Sequence, residues 1–136
     1  MRIFLDANIL FSAAKSDGAI RLLLALLARV GHVCCADGYV IEEARRNLAA
    51  KASGGLADLE IILQGVEVTS AHPAGSAGTR ELPLPEKDRP VLAAAIRLGC
   101  EALVTGDSTH FGSLFGATIH GVTIYSPRSL AEKLLK

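Results

Sequence analysis

Five short runs rich in branched apolar residues punctuate the chain: RIFL (Arg2–Leu5), HVCCA (His32–Ala36), VEVT (Val66–Thr69), ALVT (Ala102–Thr105) and VTIY (Val122–Tyr125). Between them lie longer stretches whose apolar residues recur at helical spacing. They cover Asn8–Lys15, Gly18–Val30, Gly38–Ala52, Leu56–Leu63, Lys87–Leu98 and Pro127–Leu135. A strand that alternates with a helix and reads as a near-continuous apolar run is buried on both faces, so the pattern predicts βα units around a parallel sheet. The expected fold class is therefore α/β. At 136 residues the chain fits a single domain, 1–136, of the size that supports its own core.

Composition narrows the function by exclusion. Half of the residues are apolar, which argues against a disordered chain, and 14 basic residues balance 14 acidic ones, so no global field marks a polyanion or membrane partner. Any binding of a polyanion then depends on a local patch. Arg45, Arg46 and Lys51 on one helix, with Arg80, Lys87 and Arg89 further on, either form such a patch or simply solvate helix faces. Cys34, Cys35 and Cys100 are odd in number and lie in apolar surroundings, as expected of reduced core thiols. The segment AIRLLLALLARV contains two arginines and is short of the ~20 residues of a membrane span, and the N-terminus lacks a leader pattern; a cytoplasmic protein is expected, with no membrane partner. That leucine-rich helix reads as core. The irregular stretch Ser70–Pro85 is either a lid, a partner-binding loop or an insertion.

Four acids carry the chemical argument. Asp6 closes the first strand, and Asp107 closes the one that begins near Ala102. In an open parallel sheet the carboxyl ends of strands share one edge, and if these two strands are neighbours their carboxylates face each other. Asp88 opens the helix whose stripe is Val91, Leu92, Ala95 and Ile96; it either caps that helix or heads the face turned to the sheet. Glu43 borders the buried face Val40, Ile41, Ala44 and Leu48, one turn from Asn47, whereas Glu42 points further to solvent. Spacing alone leaves open whether Glu43 is a solvated helix residue or a member of the site. Carboxylates gathered in one place repel, and a divalent cation removes that cost; an all-oxygen donor set favours Mg2+ or Mn2+ over zinc.

FLDANIL, IEEARRNL and DRPVLAAAIRLGCEALVTGDSTHF, in that order, resemble the PIN domain nucleases, especially small prokaryotic VapC-like members of toxin–antitoxin pairs. The resemblance spans almost the entire chain. It implies a three-layer α/β/α sandwich with a central parallel sheet and metal-dependent cleavage of an RNA substrate. It also implies Asp6, Glu43, Asp88 and Asp107 as catalytic, metal-binding acids, with an antitoxin protein as partner and a homodimer face along the leucine-rich helix. Asn8 would brace the loop after the first strand, and Thr105 would hydrogen-bond near the carboxylates; a helix cap and a strand-end hydroxyl are their structural alternatives. His110 departs from the pattern, standing where many relatives carry another acid, and is expected to be packed or solvent-facing. His32, His72 and His120 share no ligand spacing and read as structural or surface residues.

Two rival functions follow. A PIN-like module that has lost catalysis would bind RNA or a partner protein. A phosphatase of the haloacid dehalogenase type also places an acid after the first strand, but it wants a second acid two residues on, where this chain has Asn8.

Overall fold

A computed structural model describes residues 1–71 and 82–135. Six strands form one sheet in the order β3-β2-β1-β4-β6-β5: β1 (Arg2–Leu5), β2 (Val33–Asp37), β3 (Glu67–Thr69), β4 (Ala102–Val104), β5 (Thr118–Ile119) and β6 (Val122–Tyr125). All neighbouring pairs are parallel except β5 with β6. The expected parallel sheet thus acquires an antiparallel edge, built by a hairpin whose connecting residues, His120 and Gly121, both have positive φ (49° and 84°). Two consecutive left-handed residues match the twist of a two-residue hairpin.

The helices are α1 (Ala7–Lys15), α2 (Ala19–Arg29), α3 (Gly38–Lys51), α4 (Leu56–Leu63), α5 (Arg89–Arg97), α6 (Ser108–Phe111) and α7 (Pro127–Leu134). A 3-10 turn, Glu86–Asp88, precedes α5 and takes the place of the first helical turn expected there. Right-handed crossovers carry the chain from β1 outward to β2 and β3, placing α1 to α4 on one face. The return to β4 carries α5 across the other face. The strand order therefore reverses between β1 and β4.

The central strands are covered on both faces, which is why Ile3, Phe4, Leu5, Leu103 and Val104 are fully buried. Cys34, Cys35 and Cys100 lie in the same core, and burial pushes the Cys34 and Cys100 thiols up to about 11 and about 12. In α2 only Leu23 and Leu27 are buried; Leu22 is 59% exposed, so the leucine-rich helix is core along one stripe alone. Of the long irregular stretch, residues 72–81, with His72 and Arg80, lie outside the described residues, while Leu82 and Leu84 at its end pack into the core. Among the described residues, no helix is long and apolar enough to cross a membrane.

Helices α1, α3 and α4 meet at the 3-10 turn Ser53–Gly55. A Cβ at Gly55 would lie 2.9 Å from the Ala14 carbonyl oxygen and 3.0 Å from Leu48 Cδ2. The nearer obstacle is backbone and cannot rotate away. Gly55→Ala is expected to destabilise the fold by about 1–3 kcal/mol, the usual cost of overpacking, read as a lower midpoint with unchanged slope in urea unfolding.

Candidate active site

Asp6 and Thr105 are the first residues past β1 and β4, and the Asp6 N–H donates to the Val104 carbonyl (3.1 Å), so the pairing continues to the site. The Thr105 hydroxyl donates to Asp6 Oδ2 at 2.8 Å and accepts from Asn8 Nδ2 (3.2 Å) and from the Asp107 N–H (3.1 Å). A hydroxyl offers one proton and two lone pairs, so Thr105 is saturated. Asn8 is equally committed: Nδ2 also reaches Asp6 Oδ2 (3.3 Å), and Oδ1 accepts from the Gly106 N–H (2.8 Å). The cap of α1 is Asp6, whose Oδ1 accepts from the Ala7 N–H at 2.7 Å, while Asn8 ties the β1 end to the β4 loop.

Burial raises the Asp6 carboxyl to about 6. The hydrogen bonds from Thr105 and the Ala7 N–H oppose that rise, and the charges of Glu43 and Asp88 add to it. Glu43 is half-buried on α3 and so comes within electrostatic reach of the strand ends. Tyr39, one turn earlier, is under the influence of Glu43, Asp88 and Asp6 together, and its hydroxyl donates to the Lys87 carbonyl at 2.7 Å.

Asp107 caps α6, with Oδ1 accepting from the Thr109 and His110 N–H groups at 3.1 Å. Its other oxygen lies 2.8 Å from His110 Nδ1, and Asp88 Oδ2 approaches the same nitrogen at 2.9 Å. Asp88 sits at the N-terminus of α5 but makes no capping hydrogen bond through its side chain. Asp88 Oδ2 and His110 Nδ1 are both buried and have no hydrogen-bond partner, their close approach being an ion pair when the imidazole is protonated. Burial raises the Asp88 carboxyl, with His110 and Lys87 opposing and Asp107 adding.

One donor atom from each of Asp88, Asp107 and His110 lies within 4.8 Å of the others. The separations of 2.8 and 2.9 Å correspond to the ~2.8–3.0 Å edge of an octahedron with ~2.0–2.1 Å bonds. The donor set and its orphaned atoms therefore fit a divalent cation. Asp6 feels the charge of Asp88 and of Glu43, and neither Asp6 nor Glu43 belongs to the tight triad. His110, expected to be packed or exposed, instead stands between two carboxylates.

Two residues of this region escaped the sequence reading. Tyr39 carried no motif. Asp37 closes β2 as Asp6 closes β1, a signal the sequence did contain, but it lies one strand from the reversal; it caps α3 through Val40 and faces Arg97 at 3.7 Å. The basic candidates thin out too, since Arg45 pairs with Glu60 (2.8 Å) and Arg89 donates to the Leu84 carbonyl.

No family model and no curated protein matches the chain. Solved structures do. VapBC2 from Rickettsia felis, bound to a promoter DNA fragment, aligns with a TM-score of 0.67 at 18% identity, over 93% of this chain and 98% of that one. VapBC-1 from nontypeable Haemophilus influenzae gives 0.58 at 15% identity, over 94% and 99%. VapC20 from Mycobacterium tuberculosis, a sarcin-ricin loop cleaving toxin, gives 0.56 at 16% identity, over 87% and 97%. The chain has a VapC-like PIN fold, an α/β sandwich with a mostly parallel six-stranded sheet.

Two measurements probe the local energetics. Because the folded Asp6 binds its proton more tightly than the unfolded chain does, its contribution to stability is present below pH 4 and is lost as pH rises through about 6. In chelator, the stability of wild type relative to Asp6→Asn is expected to fall by about 3 kcal/mol across that window. Tyr39→Phe is expected to cost about 0.5–1.5 kcal/mol and to speed amide exchange at Asp88 and Arg89, whose N–H groups bond the Pro85 carbonyl in the turn that Tyr39 clamps.

Proposed function

We propose that the chain is a divalent-metal-dependent endoribonuclease, the toxin of a toxin–antitoxin pair. The observation that carries this reading is the convergence of Asp88, Asp107 and His110, with buried, unpartnered donor atoms on Asp88 and His110. Support for the substrate comes from VapC20, described as cleaving the sarcin-ricin loop, and support for a partner protein from the two VapBC structures.

Asp88, Asp107 and His110 would hold the ion, while Asp6 and Glu43 supply further negative charge at its border. A bound divalent cation supplies the positive charge that lowers the pKa of water and offsets charge on phosphoryl oxygens. The protein's part is positional. Thr105 and the Ala7 N–H oppose the rise in the Asp6 pKa, Thr105 and Asn8 fix its carboxylate, Tyr39 holds the turn that carries Asp88, and the α6 N–H groups hold one Asp107 oxygen so that the other would face the ion. In-line attack of water on phosphorus would leave 5′-phosphate and 3′-hydroxyl ends.

An imidazole suits borderline metals and carboxylates suit hard ones, so the mixed set favours Mn2+ over Mg2+. A homodimer is a further part of the proposal, with the exposed side of α2, including Leu22, as its face.

Asp88→Asn is expected to lower Mn2+ affinity by more than the ~100-fold that outer-shell contacts reach, and to abolish cleavage of structured RNA with mapped ends. Calorimetry showing unchanged Mn2+ binding in Asp88→Asn would falsify the metal site and favour a non-catalytic module. His110→Asp is expected to lower the ratio of Mn2+ to Mg2+ affinity, measured in the same titrations.

A further inference from the structure

An RNA strand brings a row of phosphates, and only one of them can sit at the acid cluster. Its neighbours meet the charges of Asp6 and Glu43, which repel them unless cations stand close by. Most of the basic residues raised by the sequence drop out of that role. Arg45 is paired with Glu60, Arg89 donates to the Leu84 carbonyl, Arg80 lies outside the described residues, and Lys51 is the last residue of α3, at the end away from Tyr39. Arg46 and Lys87 remain. Both are exposed, and among the described residues neither is ion-paired.

Both also stand against the site. Tyr39, Glu43 and Arg46 follow at i, i+4 and i+7 along α3, one stripe of the helix. The Cα–Cβ bonds of a helix tilt toward its N-terminus, which for α3 is the strand-end edge that carries the acids. Arg46 accordingly acts on the Tyr39 hydroxyl together with Glu43, Asp88 and Asp6. That hydroxyl donates to the Lys87 carbonyl at 2.7 Å, and the Lys87 charge reaches Asp88. One hydrogen bond thus ties the helix that bears Arg46 to the turn that bears Lys87.

We propose that Arg46 and Lys87 clamp the RNA backbone beside the scissile phosphate, so that the strand leaves the acid cluster across Tyr39, between α3 and the Glu86–Asp88 turn. The proposal rests on the nuclease reading above. Such a clamp fixes the position of the strand without reading its bases. A purely intramolecular role, Arg46 balancing Glu43 and Lys87 balancing Asp88, is distinguishable, because only a phosphate contact releases counterions from RNA.

The test is the salt dependence of kcat/KM on a structured RNA with a single-stranded cut site, at saturating Mn2+. Arg46→Gln and Lys87→Gln are each expected to flatten the slope of log kcat/KM against log salt by about 0.7, the value for one single-strand phosphate. The loss should fall on KM rather than kcat, as for uniform binding. Arg46→Lys keeps the charge and should keep the wild-type slope, as should Lys51→Gln. A neutral methylphosphonate scanned through the RNA should erase the difference between wild type and Arg46→Gln at a linkage beside the cut and not at distant ones. With wild-type cleavage intact, an unchanged slope in either Gln variant overturns the clamp and leaves the nuclease standing. If wild type cuts no RNA, the nuclease reading fails, and the clamp is decided by the same slopes in fluorescence anisotropy of a labelled single-stranded RNA. There, a slope in either Gln variant equal to that of wild type, or no binding by wild type, overturns it.

Discussion

The pairing of β1 with β4 is the constraint on which the rest of the molecule depends. Residues far apart in the chain, Asp6 and Thr105, become neighbours because Leu5 pairs with Val104 and the hydrogen bonding runs one residue further. The same pairing is where strand order reverses, so loops diverge to opposite faces and leave a crevice at the carboxyl edge. Glu43 reaches that crevice from α3 on one side and Asp88 from the start of α5 on the other. This register brings Asp6 within reach of the charges of Glu43 and Asp88.

The two halves of the crevice differ in kind. Around Asp6 every polar atom has a partner: Thr105 and Asn8 together tie one carboxylate oxygen to the β4 loop, and the Ala7 N–H holds the other. That half is preorganised by the fold. Around His110 the contacts are of another kind: its Nδ1 lies 2.8 Å from Asp107 and 2.9 Å from Asp88, and Asp88 Oδ2 and His110 Nδ1 have no hydrogen-bond partner. The half near His110 is therefore less fully tied by hydrogen bonds than the half around Asp6. Asp107 belongs to both halves, since its amide bonds Thr105 while its carboxylate faces His110.

Much of this was legible in the chain. An acid directly after an apolar run marks a strand end, and Asp6 and Asp37 follow that rule, the remoteness of Asp37 depending on strand order, which spacing does not reveal; Asp107, expected to close β4, instead follows Thr105 and Gly106 and caps α6. Asp88 was ambiguous because a helix start has no fixed angle, and the 3-10 turn before α5 is what aims it inward. His110 was underweighted because a four-residue helix leaves no periodicity, yet it is α6 that turns the imidazole toward Asp88. The two-residue β5 was invisible for the same reason. Tyr39 acts through a backbone carbonyl, a contact no residue pattern encodes. Leu22 and Leu23 are adjacent and chemically identical, so only the rotation of α2 against its neighbours separates the exposed from the buried one.

The three cysteines of β2 and the β4 entrance bear on how the molecule ages. Sealed among Phe4-centred packing and held protonated well above neutrality, they present no thiolate to an oxidant or alkylating reagent while the sheet is closed. Damage to them has to wait for the central strands to part, so the rate at which these sulfurs are captured becomes a clock for the rarest openings of the molecule.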